Sequence, residues 1–241
     1  MKHEKVIFFW SGGKDSALCL YKILQEDKFE VVSLVTTIRA DLKRVSMHGV
    51  REELVEAQAA NIVLKDGKTG IPLDKMYINS HSTNVEYENA LEKILLKYKS
   101  MGVSKVIFAD IFLEDLRKYR ENFLHKFNMK GLYPLWNIPT TELIYEFIEL
   151  GFKTRVCCCD SHLFGEHILG QVLDEGLIRS FPPEVDPCGE NGEFHTFTFS
   201  GPLFSGDIPV KTGERVLKIY ELESGKSREK GYWFIDLHLD L

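Results

Sequence analysis

A short segment near the N-terminus has the composition of an anion-binding turn. It covers residues 10–16, reads WSGGKDS and lies between a predicted strand and a predicted helix. Two consecutive glycines let the backbone come close to an anion, and the amides of a turn that opens a helix point outward as donors. Lys14 adds a full positive charge. The segment therefore predicts a binding site for a polyphosphate.

Asp15 distinguishes this turn from the P-loop of kinases and GTPases, in which Ser or Thr follows the lysine. A carboxylate beside bound phosphates is repulsive unless a divalent cation lies between them. We therefore expect Mg²⁺ here, held by Asp15 directly or through water. The alternative is a plain glycine turn with a solvated Lys14–Asp15 pair, and the flanking strand and helix argue against it.

A second group of chemically active side chains lies in residues 185–196, which read VDPCGENGEFHT. Glu190, Glu193 and His195 can cap a magnesium ion, hold an ammonium ion, or act as acid and base. The alternative is a glycine turn whose acids are solvated and whose histidine simply lies on a strand. Composition alone favours that alternative.

A third group follows the predicted strand that ends at residue 109. Arg117 and Arg120 lie on a helix that begins just past this strand, where they can reach a substrate carboxylate or the α phosphate of a nucleotide. The alternative is a solvent-exposed charged face with ion pairs one turn apart, which we prefer for Lys118. His48 follows the second strand and either borders the nucleotide or is merely exposed.

These groups must be positioned by alternating strands and helices. The predicted strands are 6–10, 29–38 and 104–109, and the predicted helices are an amphipathic one after residue 16, then 50–61 and 87–98. Such alternation produces a doubly wound parallel sheet, an α/β fold whose ligands lie beyond the carboxyl ends of the strands. The positions just after Trp10, Ile38 and Ala109 are therefore the first candidates for a ligand site.

The alternation stops near residues 132–137, where we expect a domain boundary. The prediction is a polyphosphate-binding domain over 1–134 and a smaller α+β, substrate-binding domain over 135–241. The elements predicted in the second domain are helices 140–150 and 166–175 and strands 153–159, 194–199, 216–222 and 233–239.

The bulk composition excludes several classes of protein. A chain of 241 residues with 44% hydrophobic content can bury a full core. The net charge of -6 argues against a passive nucleic-acid coat but leaves a local basic patch open. No apolar run approaches the ~18 residues of a membrane span. Five cysteines without CxxC spacing indicate reduced thiols and a cytoplasmic protein, and a homodimer stays open.

Four separated motifs carry a resemblance to a known family. The turn 11–16 resembles the phosphate loop (PP-loop) of the N-type ATP pyrophosphatases, the adenine nucleotide alpha-hydrolases. Residues 110–117 (DIFLEDLR), 134–136 (PLW) and 190–196 (ENGEFHT) are similar to the diphthine-ammonia ligase family, over 11 to about 204. The resemblance implies a Rossmann-like, HUP-type fold and an ATP-dependent ligase that adenylates a carboxylate, transfers it to ammonia or an amine, and releases AMP and pyrophosphate.

The resemblance also implies roles for individual residues. Asn84 and Tyr87 stand in the segment 81–88 where family members that act on diphthine carry acids, so the acyl substrate stays open. The residues expected to bind ATP are Ser11, Gly12, Gly13, Lys14, Asp15, Ser16, Thr36, Thr37, Ile38 and Asp110. The residues expected to act in catalysis are Lys14, Asp15, Glu190, Glu193 and His195, with Asp15 holding Mg²⁺. The residues expected to bind substrate are Asn84, Tyr87, Glu114, Arg117, Arg120, Gly189, Asn191 and Thr196.

Two other functions stay open from the sequence. Some proteins with the same phosphate loop transfer sulfur to tRNA or a carrier through catalytic cysteines, and the run Cys157-Cys158-Cys159 invites that hypothesis. Neighbours on a strand point to opposite faces, and buried cysteines behave as small hydrophobes, so we expect these to be core residues. The other alternative is an ATP-binding sensor without catalysis.

Overall fold

The computed structural model describes residues 3–26, 28–79, 82–221 and 229–240. Its N-terminal part is a mostly parallel sheet with helices. The strands are β1 (Glu4–Phe9), β2 (Phe29–Arg39), β3 (Arg44–Val45), β4 (Leu73–Ile78), β5 (Lys105–Ile107) and β6 (Lys130–Leu132). The helices are α1 (Lys14–Glu26), α2 (Glu52–Asn61), α3 (Asn84–Ser100) and α4 (Glu114–His125).

The pairing of these strands confirms the expected α/β class. The parallel strands follow the order β4-β2-β1-β5-β6, with the earliest strand in the middle, as in Rossmann-like sheets. β3 pairs antiparallel with the last two residues of β2. The strand order reverses beside β1, where open α/β sheets bind ligands. The turn 11–16 follows β1 directly.

Local sequence explains where these elements begin and end. Val6, Ile7 and Phe8 are fully buried, as expected of a central strand covered on both faces. α3 begins three residues earlier than predicted because Thr83 and Glu86 form a capping box, in which each side chain binds the other residue's amide.

The C-terminal part is an antiparallel sheet of four strands in the order β8-β7-β10-β9. The strands are β7 (Lys153–Asp160), β8 (Phe194–Ser200), β9 (Val210–Glu221) and β10 (Glu229–Leu239). The helices are α5 (Thr140–Glu149), a short 3-10 helix (Glu166–Ile168) and α6 (Glu175–Arg179). One hydrophobic cluster contains buried residues from both sheets, including Phe8 of β1 and Phe197 of β8. The two sheets therefore share a core, and the predicted boundary near 132–137 stays a prediction.

One predicted helix is wrong and three strands were not predicted. The apolar residues of 166–175 have helical spacing, but the helix lasts only from Glu166 to Ile168. The chain then turns at Gly170, whose φ is 79°, and Val172 forms an isolated bridge with Arg155 of β7. Strands β3, β4 and β6 were missed, and the last residue of the predicted strand 216–222 lies outside the described residues. In the described part of the chain, no helix has the length and apolarity needed to cross a bilayer.

Candidate active site

A cleft of about 570 Å³ lies at the carboxyl ends of β1, β2 and β5, where the two sheets face each other. Ser11, Lys14, Asp15 and Ser16 of the turn form one wall, whereas Gly12 and Gly13 of the same turn do not line the cleft. The segment 188–196 before and within β8 forms the wall opposite. Residues 45–48 and Asp110 close the remaining sides. The first two motifs found in the sequence therefore line one space.

The glycine turn is held by its own serines. Gly12 has a φ of 79°, which a residue with a Cβ rarely adopts. The Gly13 amide donates to Ser11 Oγ at 3.3 Å, and Ser16 Oγ donates to the Gly13 carbonyl at 2.9 Å. α1 begins at Lys14, and the Ala17 amide donates to the Gly13 carbonyl at 3.0 Å, so the amides of Asp15 and Ser16 are the ones of the first turn that are available to an anion.

The turn is also bonded directly to β8 of the second sheet. The Thr198 amide donates to the Gly12 carbonyl at 2.9 Å, and the Lys14 amide donates to Thr196 Oγ1 at 3.1 Å. A Cβ on Gly13 would lie 2.7 Å from the His48 ring and 3.1 Å from the Thr196 carbonyl. The glycine is therefore required by the approach of β8 and His48, in addition to the anion that the sequence argument invoked.

Gln58 is a residue whose role the sequence reasoning missed. Its side chain is fully buried on α2, and its Oε1 accepts the indole N–H of Trp10 at 3.0 Å. Its Nε2 donates to the carbonyls of Gly12 at 2.9 Å and Thr198 at 2.6 Å. All three hydrogen bonds are buried, so Gln58 fixes the turn to β8. A polar residue on the buried stripe of a helix was the available signal.

Lys14 is more enclosed than predicted. Its side chain is 3% exposed, and its Nζ donates to Asp15 Oδ2 at 2.7 Å and to the Cys188 carbonyl. Burial acts to lower the pKa of Lys14, but charges nearby, Asp15 first among them and Glu190 also, raise it above its usual value. The ammonium thus stays charged. The Lys14 side chain therefore also links the turn to the segment 188–196.

Glu190 combines a cleft position with an unusual pKa. Burial raises the pKa of Glu190 to about 7, and the charges of Asp15 and Asp110 act in the same direction. The Ile111 amide, which donates to Glu190 Oε1 at 2.8 Å, opposes this shift. Glu190 is therefore a carboxyl group that changes protonation near neutral pH, as a general acid or base requires.

Two histidines meet across the cleft. The rings of His48 and His195 lie 4.7 Å apart between centroids, at an interplanar angle of 37°. His48 Nδ1 lies 3.0 Å from the Thr196 carbonyl, which can only accept, so Nδ1 carries the proton. Burial lowers the pKa of His48 to about 4, and burial followed by His48 lowers the pKa of His195. Both rings are therefore neutral at pH 7, and His48 is a cleft residue rather than an exposed one.

Glu193 supports the loop rather than facing the cleft. It is 5% exposed, and its Oε1 accepts the Asp186 amide at 3.0 Å and the Asn191 side-chain amide at 2.9 Å. Its Oε2 is buried without a hydrogen-bond partner among the described residues, as is His195 Nε2. The catalytic role expected for Glu193 stays a prediction, and the contacts make it a residue that shapes the segment 188–196.

Asp110 and Arg120 form an ion pair at the edge of the cleft. Arg120 Nε lies 3.1 Å from Asp110 Oδ2, and the guanidinium stacks over the Phe108 ring at 4.2 Å. Burial raises the pKa of Asp110, and Arg120 opposes this. A cation fixed at this position can contact a phosphate or a carboxylate.

The structure brings most of the predicted site residues to the cleft but not all. Glu114 is exposed and pairs with Lys118 at 3.2 Å, while the Arg117 guanidinium stacks on Tyr133 and Trp136. The side chains of Thr36 and Ile38 are fully buried, and Asn84 lines a neighbouring cavity. The predicted residues that line the cleft are Ser11, Lys14, Asp15, Ser16, Thr37, Tyr87, Asp110, Arg120, Gly189, Glu190, Asn191, His195 and Thr196.

The cysteines do not form a reactive thiol site. Cys157, Cys158 and Cys159 are buried, and burial raises the pKa of each thiol. Cys188 does line the cleft, but burial raises its pKa as well, and its Sγ donates to the Thr140 carbonyl at 3.3 Å. Thiolates are the reactive form, so these environments are those of inert cysteines.

A magnesium ion fits the residues around Asp15. Within the described ranges, no group of three or more His, Cys, Asp or Glu residues is arranged to hold a metal on its own. Mg²⁺ bound with a nucleotide needs only one or two carboxylates, since phosphate oxygens and water supply the rest. The Asp15 side chain is 29% exposed beside the turn, where it can supply one such oxygen.

Comparisons with known proteins show the family to which this chain is similar. The family model described as the diphthamide synthase N-terminal domain matches residues 4–131, and the model of the diphthamide synthase C-terminal domain matches residues 139–235. The chain is 25% identical over 225 residues to "Diphthine--ammonia ligase" of Rattus norvegicus, covering 86% of this chain and 83% of that protein. It is 27% identical over 237 residues to the protein of the same name from Danio rerio, covering 88% and 89%.

Proposed function

This chain belongs to the diphthamide synthase family, and on that premise we propose that it is an ATP-dependent ligase which activates a substrate carboxylate and transfers the acyl group to ammonia or an amine. The relatives named as ligases span most of the chain. The observation that carries the proposal is that the turn 11–16 and Glu190, a carboxyl with a pKa of about 7, line the same cleft.

The turn binds the part of ATP that leaves. The charged Lys14 and the first-turn amides of α1 hold the β and γ phosphates, which become pyrophosphate. A substrate carboxylate oxygen attacks the α phosphorus, and the bond from that phosphorus to the oxygen bridging to the β phosphate breaks. Magnesium held by Asp15 would neutralise part of the phosphate charge. The ion pair of Asp110 and Arg120 lies on the same cleft, where the guanidinium can face the α phosphate.

Glu190 accepts the proton in the second step. The amine nitrogen attacks the acyl carbon of the adenylate, the bond from that carbon to the AMP oxygen breaks, and the nitrogen loses a proton. A carboxylate with a pKa near 7 can take this proton at neutral pH and release it again.

Product analysis tests the proposal. The protein is incubated with ATP, Mg²⁺, ammonium and a panel of carboxylic acids, and nucleotides are separated by chromatography. We expect AMP and pyrophosphate in equal amounts only when an accepted acid is present. Formation of ADP and phosphate instead would refute the proposal, and intact ATP under every condition would favour the sensor.

The alternative function, sulfur transfer to tRNA or a carrier, makes a different prediction. It requires a reactive cysteine, whereas burial raises the pKa of Cys157 and Cys159. We therefore expect Cys157→Ser and Cys159→Ser to leave AMP formation within about twofold of the wild type, after correction for folded protein. Loss of turnover in folded protein with either variant would favour sulfur transfer.

A further inference from the structure

A second and larger cavity adjoins the cleft and has no part in the steps described so far. Its volume is about 920 Å³, and it lies between the loop after β2 and strands β9 and β10. The two cavities meet at side chains that line both, namely Val45, Ser46, Met47, Ile78, Tyr87 and His195. A molecule in the second cavity can therefore extend one end into the cleft.

A row of directly opposed residues crosses the second sheet and forms the floor of this cavity. Val216 of β9 lies opposite Phe234 of β10, Phe234 lies opposite Cys158 of β7, and Cys158 lies opposite His195 of β8. Directly opposed residues point to the same face of a sheet. All four line the second cavity, and His195 lines the cleft as well. The floor thus runs from the outer strand β9 to the space in front of Lys14.

The walls of the second cavity combine aromatic rings with positive charge. The aromatic lining consists of Tyr87, Tyr220, Tyr232 and Phe234. The charged lining consists of the cations Arg39, Arg44, Arg51 and Lys218 and the carboxylates Glu214 and Asp236. Cations exceed carboxylates by two in this cavity, although the whole chain carries a net charge of -6. Arg44 and Arg51 are paired with Asp236, and Arg39 lies 3.8 Å from Asp41, so most of this positive charge is balanced and the aromatic rings are left to shelter an apolar body.

We propose that the second cavity binds the acyl substrate, and that this substrate is a carboxylic acid carried on a bulky, mostly apolar body. The carboxylate lies at the His195 end, where it faces the bound ATP, and the body lies over Phe234 and Val216. This assignment rests on the proposed function for the identity of the reacting group. The volume of about 920 Å³ is suited to a ligand far larger than acetate, which would leave most of the aromatic wall in contact with water.

Two neighbouring residues of β9 provide a matched test. Val216 and Leu217 are each 43% exposed, and consecutive strand residues point to opposite faces, so only Val216 lines the cavity. Dansylglycine, a carboxylate on a bulky aromatic body, serves as a fluorescent probe in the absence of ATP. We expect its Kd to rise at least tenfold in Val216→Trp, which fills the floor, and to change less than twofold in Leu217→Trp.

Three further measurements keep the test decisive. Dansylamide, which has the same body without the carboxylate, should bind at least tenfold more weakly to the wild type. Tyr220→Ala removes an aromatic wall without adding bulk and should also weaken dansylglycine. Circular dichroism and unchanged ATP binding show that each variant is folded. Equal effects of Val216→Trp and Leu217→Trp, or equal binding of the two probes, would overturn the assignment.

The outcome also separates this assignment from the proposed function. Probe binding needs no turnover, so dansylglycine that binds as expected supports the cavity even if no AMP is ever formed. Conversely, an unchanged KM for the acid in Val216→Trp, with AMP still produced, would contradict the cavity and leave the ligase intact.

Discussion

The two cavities that meet at His195 differ in how firmly their walls are held. In the cleft, buried hydrogen bonds from Gln58, Thr196 and Thr198 fix the glycine turn. In the second cavity, Val216 and Tyr220 are partly exposed and lie on the outermost strand of the sheet. Under the proposed function, the triphosphate is the same in every turnover and would benefit from a rigid site, whereas a wall that can adjust would suit an acid of irregular shape.

The largest effect should come from Glu190, because it is the titrating carboxyl of the rigid cleft. We expect Glu190→Gln to lower kcat for amide formation by about 10²–10⁴-fold, the usual contribution of a positioned acid or base. In the wild type, kcat/KM should rise with pH through about 7 as Glu190 loses its proton. The variant should lack this rising limb of the pH profile. Rate against pH for both proteins is the measurement.

Glu114 supplies the control for that experiment. The sequence predicts it to bind substrate, but the structure places it on an exposed helix turn paired with Lys118. Glu114→Gln should therefore keep the pH limb and the wild-type rate. A pH limb that survives in Glu190→Gln would show that another group accepts the proton.

Stability gives a second view of Glu190. The pKa of Glu190 is about 7 in the folded protein and ~4.3 in the unfolded chain. Such a carboxyl contributes stability that is fully present below pH ~4.3, and this contribution is lost as the pH rises to about 7. Glu190→Gln should therefore gain stability relative to the wild type at pH 8 and lose that advantage near pH 4. Urea unfolding at the two pH values measures the difference.

The next largest effect is expected from Gln58, whose hydrogen bonds hold the glycine turn against β8. Gln58→Leu leaves the Trp10 indole N–H without its acceptor and removes one donor each from the Thr198 and Gly12 carbonyls, of which Gly12 keeps the Thr198 amide. Each unpaired buried group costs about 1–3 kcal/mol, so we expect a loss of about 3 kcal/mol in the free energy of unfolding and weaker ATP binding. Denaturant unfolding and calorimetry measure the two quantities.

Gln171 is the matched control for Gln58. It is exposed, and its side chain donates to the His167 carbonyl at 2.9 Å. Gln171→Leu should change stability by less than about 0.5 kcal/mol, as is usual for surface sites. If both variants cost the same, the contrast between the rigid cleft and the rest of the molecule would not hold.

The sequence was most informative where chemistry is local. The spacing of residues 10–16 predicts the turn, and the buried run of β1 and the stripe of α1 predict the elements on each side, because all three depend on neighbours in the chain. The short strands β3 and β6 carry too few residues for a clear pattern, and Asp74 and Lys75 interrupt the apolar run of β4. The helical spacing at 168–173 misleads because Val172 bridges to Arg155, a contact that only the folded chain makes.

The site was predicted in part for the same reason. Types and spacing identify Lys14 and Asp15, since a phosphate loop has a recognisable composition, whereas Glu190 was identified through the resemblance of residues 190–196 to a known family. Gln58 and His48 act through contacts with residues 140 and 148 positions away, which a single sequence does not reveal. Arg117 has the right charge and lies near a strand end, yet Tyr133 and Trp136 hold its guanidinium away from the cleft.

The smallest predicted effect on stability is that of replacing Asp236, which lines the second cavity. Asp236 of β10 accepts hydrogen bonds from Arg51 at 2.8 and 3.0 Å and from Arg44 at 2.7 Å, which joins the sheet to the loop after β2. Arg51 first, and then Arg44, lower the pKa of Asp236 to about 2. This shift corresponds to about 2 kcal/mol of stability at pH 7.

A depressed folded pKa sets the direction of the pH dependence. The contribution of Asp236 to the free energy of unfolding is fully present above the unfolded pKa of ~3.9. It is lost as the pH falls through the folded pKa of about 2. Asp236→Asn should therefore be about 2 kcal/mol less stable than the wild type at pH 7, and the gap should narrow below about pH 4. Asp240→Asn, which removes an exposed pair with Lys211, should cost less than about 0.5 kcal/mol. A gap that stays constant from pH 7 to pH 3 would mean that Asp236 acts through packing, and the second cavity would then lack the charged anchor assigned to it.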